Sequence, residues 1–245
     1  MKRILFLVTC VLFWGIIIAG PTFAAENPVA GVQDKPDTAD WRGFYAGLNA
    51  GYSWYRADSK TYSTVTGNLL GEKLSKASGD VYGGRIGYDH VFAGNWLLGV
   101  ATEVSYGDIK VEKTISNAAG TNIHKTVGEN DWNGSIFARA GFATGRWLIY
   151  GIGGWTWSNS ESKRTQLVGT MGNATAGTVE KEDFTMDGWT LGGGFEILLT
   201  NHLSLYSEYR YTDYRTDKIT FSLTQQTSDA DATTSSLQCG INYKF

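Results

Sequence analysis

The last ten residues of the chain, 236–245, alternate apolar and polar side chains without a break. The apolar positions are Leu237, Cys239, Ile241, Tyr243 and Phe245, and the small or polar ones are Gln238, Gly240, Asn242 and Lys244. A period of two is typical of a β-strand with one apolar and one polar face. About ten residues is also the length that crosses a bilayer when a strand is tilted. The last strand of the chain is therefore predicted to cross a membrane.

The sequence of residues 1–24 is typical of a secretory signal peptide. Two basic residues precede an apolar run over residues 4–19, and small residues follow that run. A basic start, a short apolar stretch and a small-residue exit are the features of a cleaved export signal. We expect cleavage after Ala24, with cleavage after Ala25 as the alternative, and a flexible periplasmic leader over residues 25–40.

The remaining residues, 41–245, are predicted to form one domain. Cleavage removes two basic and no acidic residues, which lowers the formal net charge from −3 to −5 and excludes a nucleic-acid-binding protein. Cys239 is then the only cysteine, so an intramolecular disulfide is excluded. All three prolines precede Trp41, as a continuous antiparallel sheet requires, because proline removes a backbone donor from the ladder.

Strand-like alternation recurs in eight segments of this domain. They cover residues 44–56, 80–92, 96–110, 132–144, 147–158, 184–199, 203–215 and 237–245. In residues 147–158 both faces are apolar, so the pattern leaves the orientation of that strand open. Short connections at 93–95, 145–146 and 200–202 alternate with long ones at 57–79, 111–131, 159–183 and 216–235. This alternation of short and long connections predicts an all-β fold, namely an eight-stranded antiparallel up-and-down transmembrane β-barrel with short periplasmic turns and long outer loops.

Charged residues of both signs fall on the polar faces of the predicted strands. They are Arg85, Asp89, Glu103, Arg139, Glu196, Glu208, Arg210 and Lys244, four positive and four negative. Burying an unpaired charge is prohibitive, whereas the lumen of an eight-stranded barrel is just wide enough for side chains that interlock. We interpret the eight residues as a structural ion-pair network in the lumen. The alternative, a lining for a conducting pore, needs a wider lumen than eight strands provide.

Signals for a cofactor or a catalytic site are sparse. No group of ligands has the spacing of a metal site, and His124, in a predicted outer loop, is the only candidate for haem ligation. Ser105, Glu103 and Asp108 lie near the predicted outer rim, but no histidine accompanies them on a strand there, so the set lacks a general base. We therefore expect no cofactor, no metal and no enzymatic activity.

Four segments together resemble a known family. They are residues 41–52 (WRGFYAGLNAGY), 83–88 (GGRIGY), 208–211 (EYRY) and 242–245 (NYKF). They are similar to the outer-membrane β-barrel surface-antigen family of alphaproteobacteria, relatives of opacity proteins and of the OmpA transmembrane domain, and the resemblance covers residues 41–245. It implies location in the cell outer membrane, contact with lipid and lipopolysaccharide, and Phe245 as the assembly signal for the barrel-assembly machinery.

The main functional hypothesis is a non-enzymatic outer-membrane surface protein that contributes to envelope integrity and displays its loops as an antigen or adhesin. A haemin-binding outer-membrane protein is the alternative from a binding class, since the resembling family includes haemin-binding members. A lipid-modifying outer-membrane enzyme is the second alternative. A host or haem ligand would bind through the outer loops, whose sequences match no known pattern.

Overall fold

The computed structural model describes residues 40–64, 66–92, 95–116, 122–167, 170–171, 174–215, 218–221 and 226–245. The predicted signal peptide, residues 1–24, and all of the predicted leader except Asp40 lie outside the described residues. Within the described ranges, no helix is long and apolar enough to cross a membrane.

The described residues form eleven β-strands. They are β1 Gly43–Ser63, β2 Leu69–Val91, β3 Trp96–Ser116, β4 Asn122–Thr144, β5 Trp147–Gln166, β6 Thr170–Met171, β7 Ala174–Thr175, β8 Val179–Leu198, β9 Leu203–Tyr214, β10 Lys218–Phe221 and β11 Gln226–Lys244. Eight of them form the wall in the order β1, β2, β3, β4, β5, β8, β9 and β11, and β11 pairs with β1 to close the cylinder. The predicted eight-stranded antiparallel barrel is confirmed.

The pairing register shows how strongly the strands are tilted. A path of directly paired residues that starts at Tyr45 runs once around the wall and returns to β1 at Tyr55, ten residues further along the same strand. The path passes through Gly87, Ala101, Phe137, Gly154, Thr190, Thr212 and Thr234. A barrel with eight strands and this stagger is narrow, and its interior holds side chains and little else.

The strands are longer than the alternation predicted. β1 continues to Ser63 and β2 begins at Leu69, so most of the predicted loop 57–79 is strand. The same is true of most of 111–131 and of much of 159–183 and 216–235. The prediction of four long loops was wrong in this respect, because alternation of side chains reports a lipid face and a lumen face. Beyond the membrane, backbone pairing continues although neither face needs to be apolar.

Above the membrane the cylinder divides into two sheets. In the described parts of β2 and β3, pairing between these strands ends at Val81 with Gly107, although β2 continues beside β1 and β3 continues beside β4. Pairing of β8 with β9 ends at Gly188 with Tyr214. One projecting sheet therefore contains β10, β11, β1 and β2, and the other contains β3, β4, β5 and β8. β10 lies close to β8, with no backbone pairing between them among the described residues.

The outer face of the wall is apolar and the inner face is mostly polar. Large side chains such as Leu48, Ile86 and Leu98 expose more than half of their surface to the outside. The structure also decides the orientation of β5, whose Leu148 and Tyr150 point into the lumen while its other face is exposed. An exterior with this much exposed apolar surface requires a bilayer as its solvent.

Candidate functional site: the barrel lumen

The end of the lumen at the short turns is closed by Trp41, which lies just before β1. Its indole Nε1 donates a hydrogen bond to the carbonyl oxygen of Gly145 (3.1 Å), and its own carbonyl oxygen accepts one from Lys244 Nζ (2.8 Å). Only 2% of Trp41 is exposed. It packs with the buried side chains of Tyr45, Leu97, Ala101, Phe137, Ala143, Leu148, Tyr150, Ile152 and Leu198. This apolar plug blocks the short-turn end.

A lower ion cluster is centred on Arg139, whose guanidinium lies over the plug rings Tyr45 and Tyr150. Its Nη2 is 2.8 Å from Glu196 Oε2, and its Nε is 3.5 Å from Asp89 Oδ1. Lys244 Nζ completes the cluster at 3.9 Å from the other oxygen of Asp89. Asn242 Nδ2 also donates to Glu196 (2.8 Å). Each carboxylate in this cluster therefore faces a cation.

An upper ion cluster is centred on Glu103, which interacts with two arginines. Arg210 donates from Nη1 and Nη2 to the two carboxylate oxygens of Glu103 (2.8 Å each), and Arg85 Nη2 is 3.1 Å from Oε2. Glu208 bridges the same two arginines and accepts a hydrogen bond from Tyr150 (2.9 Å). The two-pronged contact between Arg210 and Glu103 is the geometry in which a guanidinium binds a carboxylate most strongly.

The structure thus places all eight sequence-predicted lumen charges inside the barrel, each at most 6% exposed. It brings them together as two clusters, each with two cations and two carboxylates. Aromatic rings separate and flank the guanidiniums, as where Arg85 lies 3.9 Å from the ring centre of Tyr206. Each cluster has no net charge, as expected for ion pairs that hold the strands of the wall together.

A chain of hydroxyl groups crosses the wall above the ion clusters, and sequence reasoning missed it. Ser135, Thr156, Thr190 and Thr212 lie on four neighbouring strands and are joined by hydrogen bonds of 2.9, 2.7 and 2.8 Å. Ser135, Thr190 and Thr212 fall on the polar faces of their segments, whereas the segment that contains Thr156 had no assigned polar face. Alternation shows only which face a residue is on. The stagger of the strands determines which residues of that face meet.

Those of the remaining candidate residues whose side chains the structure describes form no further site. His124 lies in β4, paired with Ile115 and Gln166, and its side chain is outside what the structure describes. Ser105 points into the lumen and is 9% exposed. Glu103 is already bonded to two arginines. Within the described ranges, no group of three or more histidine, cysteine or acidic side chains is placed to hold a metal ion.

Phe245, the predicted assembly signal, lies at the rim of the short-turn end. Its backbone N–H donates to the carbonyl oxygen of Phe44 (3.0 Å), so the last residue continues the seam between β11 and β1. Its ring is 75% exposed and contacts Tyr243 edge to face, with ring centres 5.2 Å apart. The ring therefore stands on the outer surface, outside the packed lumen.

Comparisons with known proteins agree with this architecture. The family model described as outer membrane protein beta-barrel domain matches residues 21–245. The 31 kDa outer-membrane immunogenic protein of Brucella melitensis is 27% identical over 234 residues, which cover 94% of this chain and 91% of that protein. The 22 kDa outer membrane protein of Rhizobium leguminosarum is 28% identical, over 91% of this chain and 83% of its own length.

Among solved structures, the outer membrane protein OprG from Pseudomonas aeruginosa has a TM-score of 0.57 at 13% identity, over 85% of this chain and 99% of that chain. At this identity the likeness shows the fold alone. Family model, relatives and fold agree on an outer-membrane barrel, and the lipid of that membrane is therefore the environment of the exposed apolar wall.

Proposed function

The chain belongs to the outer membrane protein β-barrel domain family, and on that premise we propose that it is a non-enzymatic surface protein whose closed barrel holds projecting β-sheets outside the cell. The barrel serves as a membrane anchor that contributes to envelope integrity. The projecting sheets and their connections form the face that antibodies or host molecules meet.

The observation that carries this proposal is the contrast between a filled lumen and a long projecting wall. Trp41 and the two ion clusters occupy the lumen from the short-turn end upward. Beyond the exposed outer aromatic residues such as Trp54 and Trp132, β1 stays paired with β11 and β2, and β4 with β3 and β5, for several more residue pairs. A barrel that is packed inside and extended outside is suited to display.

Catalysis has little support in this architecture. Glu103 and Ser105, the residues that resembled part of a hydrolytic set, both face the lumen, where Glu103 is neutralised by Arg85 and Arg210. A carboxylate already bonded to two guanidiniums is a poor general base, because protonating it means giving up both charge-assisted contacts. We therefore assign Glu103 to the structural network.

Assembly of the barrel is proposed to depend on Phe245. Because its ring is largely exposed and lies outside the lumen, it contributes little to the packing of the finished barrel. An exposed aromatic ring that the fold itself does not need is available to the barrel-assembly machinery, which we propose as a partner.

The display proposal is tested by inserting one epitope tag in each of two connections. One tag follows Gly177, in the turn between β7 and β8, and the other follows Asn95, in the short turn between β2 and β3. We expect antibody to stain intact cells that carry the first tag, and to stain cells with the second tag only after permeabilisation. The reverse pattern would place the projecting sheets in the periplasm and end the proposal.

A further inference from the structure

The outward face of the wall carries an ordered arginine near the outer rim of β5 and β8. The guanidinium of Arg215 lies over the indole ring of Trp155, 4.9 Å from the ring centre. The indole Nε1 donates to Asp187 Oδ2 (3.0 Å), and the backbone N–H of Arg215 donates to the carbonyl oxygen of Asp187 (2.8 Å). Asp187 thus orients the indole ring of Trp155, and the guanidinium of Arg215 stacks on that ring. The stacking positions an exposed cation near the outer rim of the wall.

A shallow apolar recess lies on the same outer face. It is next to Trp155, on the side of that residue toward the middle of the membrane. Gly151 and Gly153 precede Trp155 at alternate positions of β5, so all three point outward. Directly paired neighbours on the adjoining strands are also small, namely Ala138 and Ala140 on β4 and Gly193 on β8. Ile149, which is 69% exposed, stands at the margin of the recess, and Leu191, which is 56% exposed and paired with Gly153, lies against that glycine.

The packing of the chain does not explain Gly151, where a built Cβ atom would meet no heavy atom nearer than 3.7 Å. Gly153 and Gly193 are more tightly enclosed, because a Cβ atom there would lie 3.3 Å from Leu191 Cδ2 and from the carbonyl oxygen of Tyr150, respectively. The lumen-facing Gly192 and Gly194 differ, because a Cβ atom there would collide with the backbone of β9. Glycine weakens a strand and offers no side chain to the lipid. Gly151 therefore leaves an open space on the outer face that its described neighbours do not fill, and a molecule outside the chain can use it.

We propose that this surface binds the lipid A part of lipopolysaccharide, with one acyl chain in the recess and a phosphate on Arg215. Guanidinium pairs with phosphate through parallel hydrogen bonds, and the stacked ring lowers the cost of ordering the arginine. Indole rings are common where acyl chains meet headgroups. The inference rests on the proposed function, since it requires the rim that bears Arg215 to face the outer leaflet.

Two matched pairs of variants test this site in the refolded mature protein. Arg215→Gln removes the cation, and Arg56→Gln removes an exposed outer-rim arginine on β1, away from the recess. Gly151→Val fills the recess, and Gly84→Val adds the same side chain at an outward glycine of β2, where a Cβ atom also meets no heavy atom nearer than 3.7 Å. Native mass spectrometry in detergent measures retention of diphosphoryl lipid A, after a gel-mobility shift has confirmed a folded barrel.

We expect Arg215→Gln to weaken binding of diphosphoryl lipid A by about tenfold, the size of one lost charge-assisted hydrogen bond. Gly151→Val should weaken it several-fold, while both controls stay within about twofold of the parent. With dephosphorylated lipid A, Arg215→Gln should no longer differ from the parent, whereas Gly151→Val still should.

Equal losses in the test and control variants would overturn the site. Equal binding of phosphatidylglycerol would overturn the assignment to lipid A and leave a general anionic-lipid surface. Failure of the display proposal is seen separately, in the tag-staining experiment, because the binding assay uses folded protein in detergent whatever its orientation in cells.

Discussion

Replacement of Glu103 by glutamine tests whether the lumen charges stabilise the barrel. Glu103 is 2% exposed and faces both Arg85 and Arg210, from which it accepts three hydrogen bonds. Glutamine keeps the size of the side chain but removes its charge. The two arginines are then left with Glu208 as their shared carboxylate.

The expected cost follows from the burial of this cluster. Breaking a buried ion pair by removing one partner typically costs about 3 to 5 kcal/mol, because it leaves an uncompensated charge inside. Glu161→Gln is the matched control: its carboxylate lies 3.2 Å from Lys181 Nζ, but the two side chains are 35% and 57% exposed. For such a surface pair we expect a loss of no more than about 1 kcal/mol.

The measurement is the free energy of unfolding in urea, followed by tryptophan fluorescence on barrels refolded into lipid vesicles. Adding Arg210→Met to Glu103→Gln leaves Arg85 with Glu208, a balanced pair, so the double variant should lose less than the sum of the two single variants. A cost for Glu103→Gln as small as that for Glu161→Gln would refute the structural role of the network. Strictly additive losses would refute the coupling between its members.

Ile136→Arg, on the lipid face, should lower the free energy of unfolding by about 2 to 4 kcal/mol. Ser116→Arg, at the outer end of β3, should leave it almost unchanged. Equal costs for the two variants would contradict the assigned lipid face. Phe245→Ser should reduce the amount of heat-modifiable barrel in cells but not the yield of refolding in detergent, and equal losses would show that the ring acts by packing. Because Trp41 and the ion clusters fill the lumen, planar bilayers should show no sustained conductance, and stable open channels would contradict a closed barrel.

Alternation in the sequence predicted the strands and their faces because each depends only on neighbours along the chain. Arg85, Glu103 and Arg210 could be assigned to the lumen in this way. Their pairing could not, because contact between Glu103 and Arg210, which are far apart in sequence, depends on the ten-residue stagger around the barrel. The stagger is a property of the closed wall, and no single strand contains it.

The limits of the pattern are visible at two other places. In β5 both faces are apolar, since Leu148 and Tyr150 pack in the plug while Ile149 faces lipid, so alternation had no contrast to report. Between residues 57 and 79, alternation fades where the wall leaves the membrane, and strand was predicted as loop. Alternation is visible only where one face of a strand meets apolar lipid and the other meets a polar lumen. In β5 the lumen side is apolar, and in residues 57–79 the outer side no longer meets lipid.

The lumen charges also explain why the strands keep one register. A slip of one residue in a strand moves its whole inner set to the outer face. In β9 such a slip would carry Glu208 and Arg210 from their partners into lipid, where an arginine at mid-membrane alone costs about 2 to 4 kcal/mol. The broken contacts with Arg85 and Glu103 add to that cost. With an apolar lumen, a register slip would not have this cost, because moving an apolar side chain from the lumen into lipid is not penalised. The network therefore discriminates against misaligned walls as well as stabilising the aligned one, and this is a use of buried charge that apolar packing of the same volume does not provide.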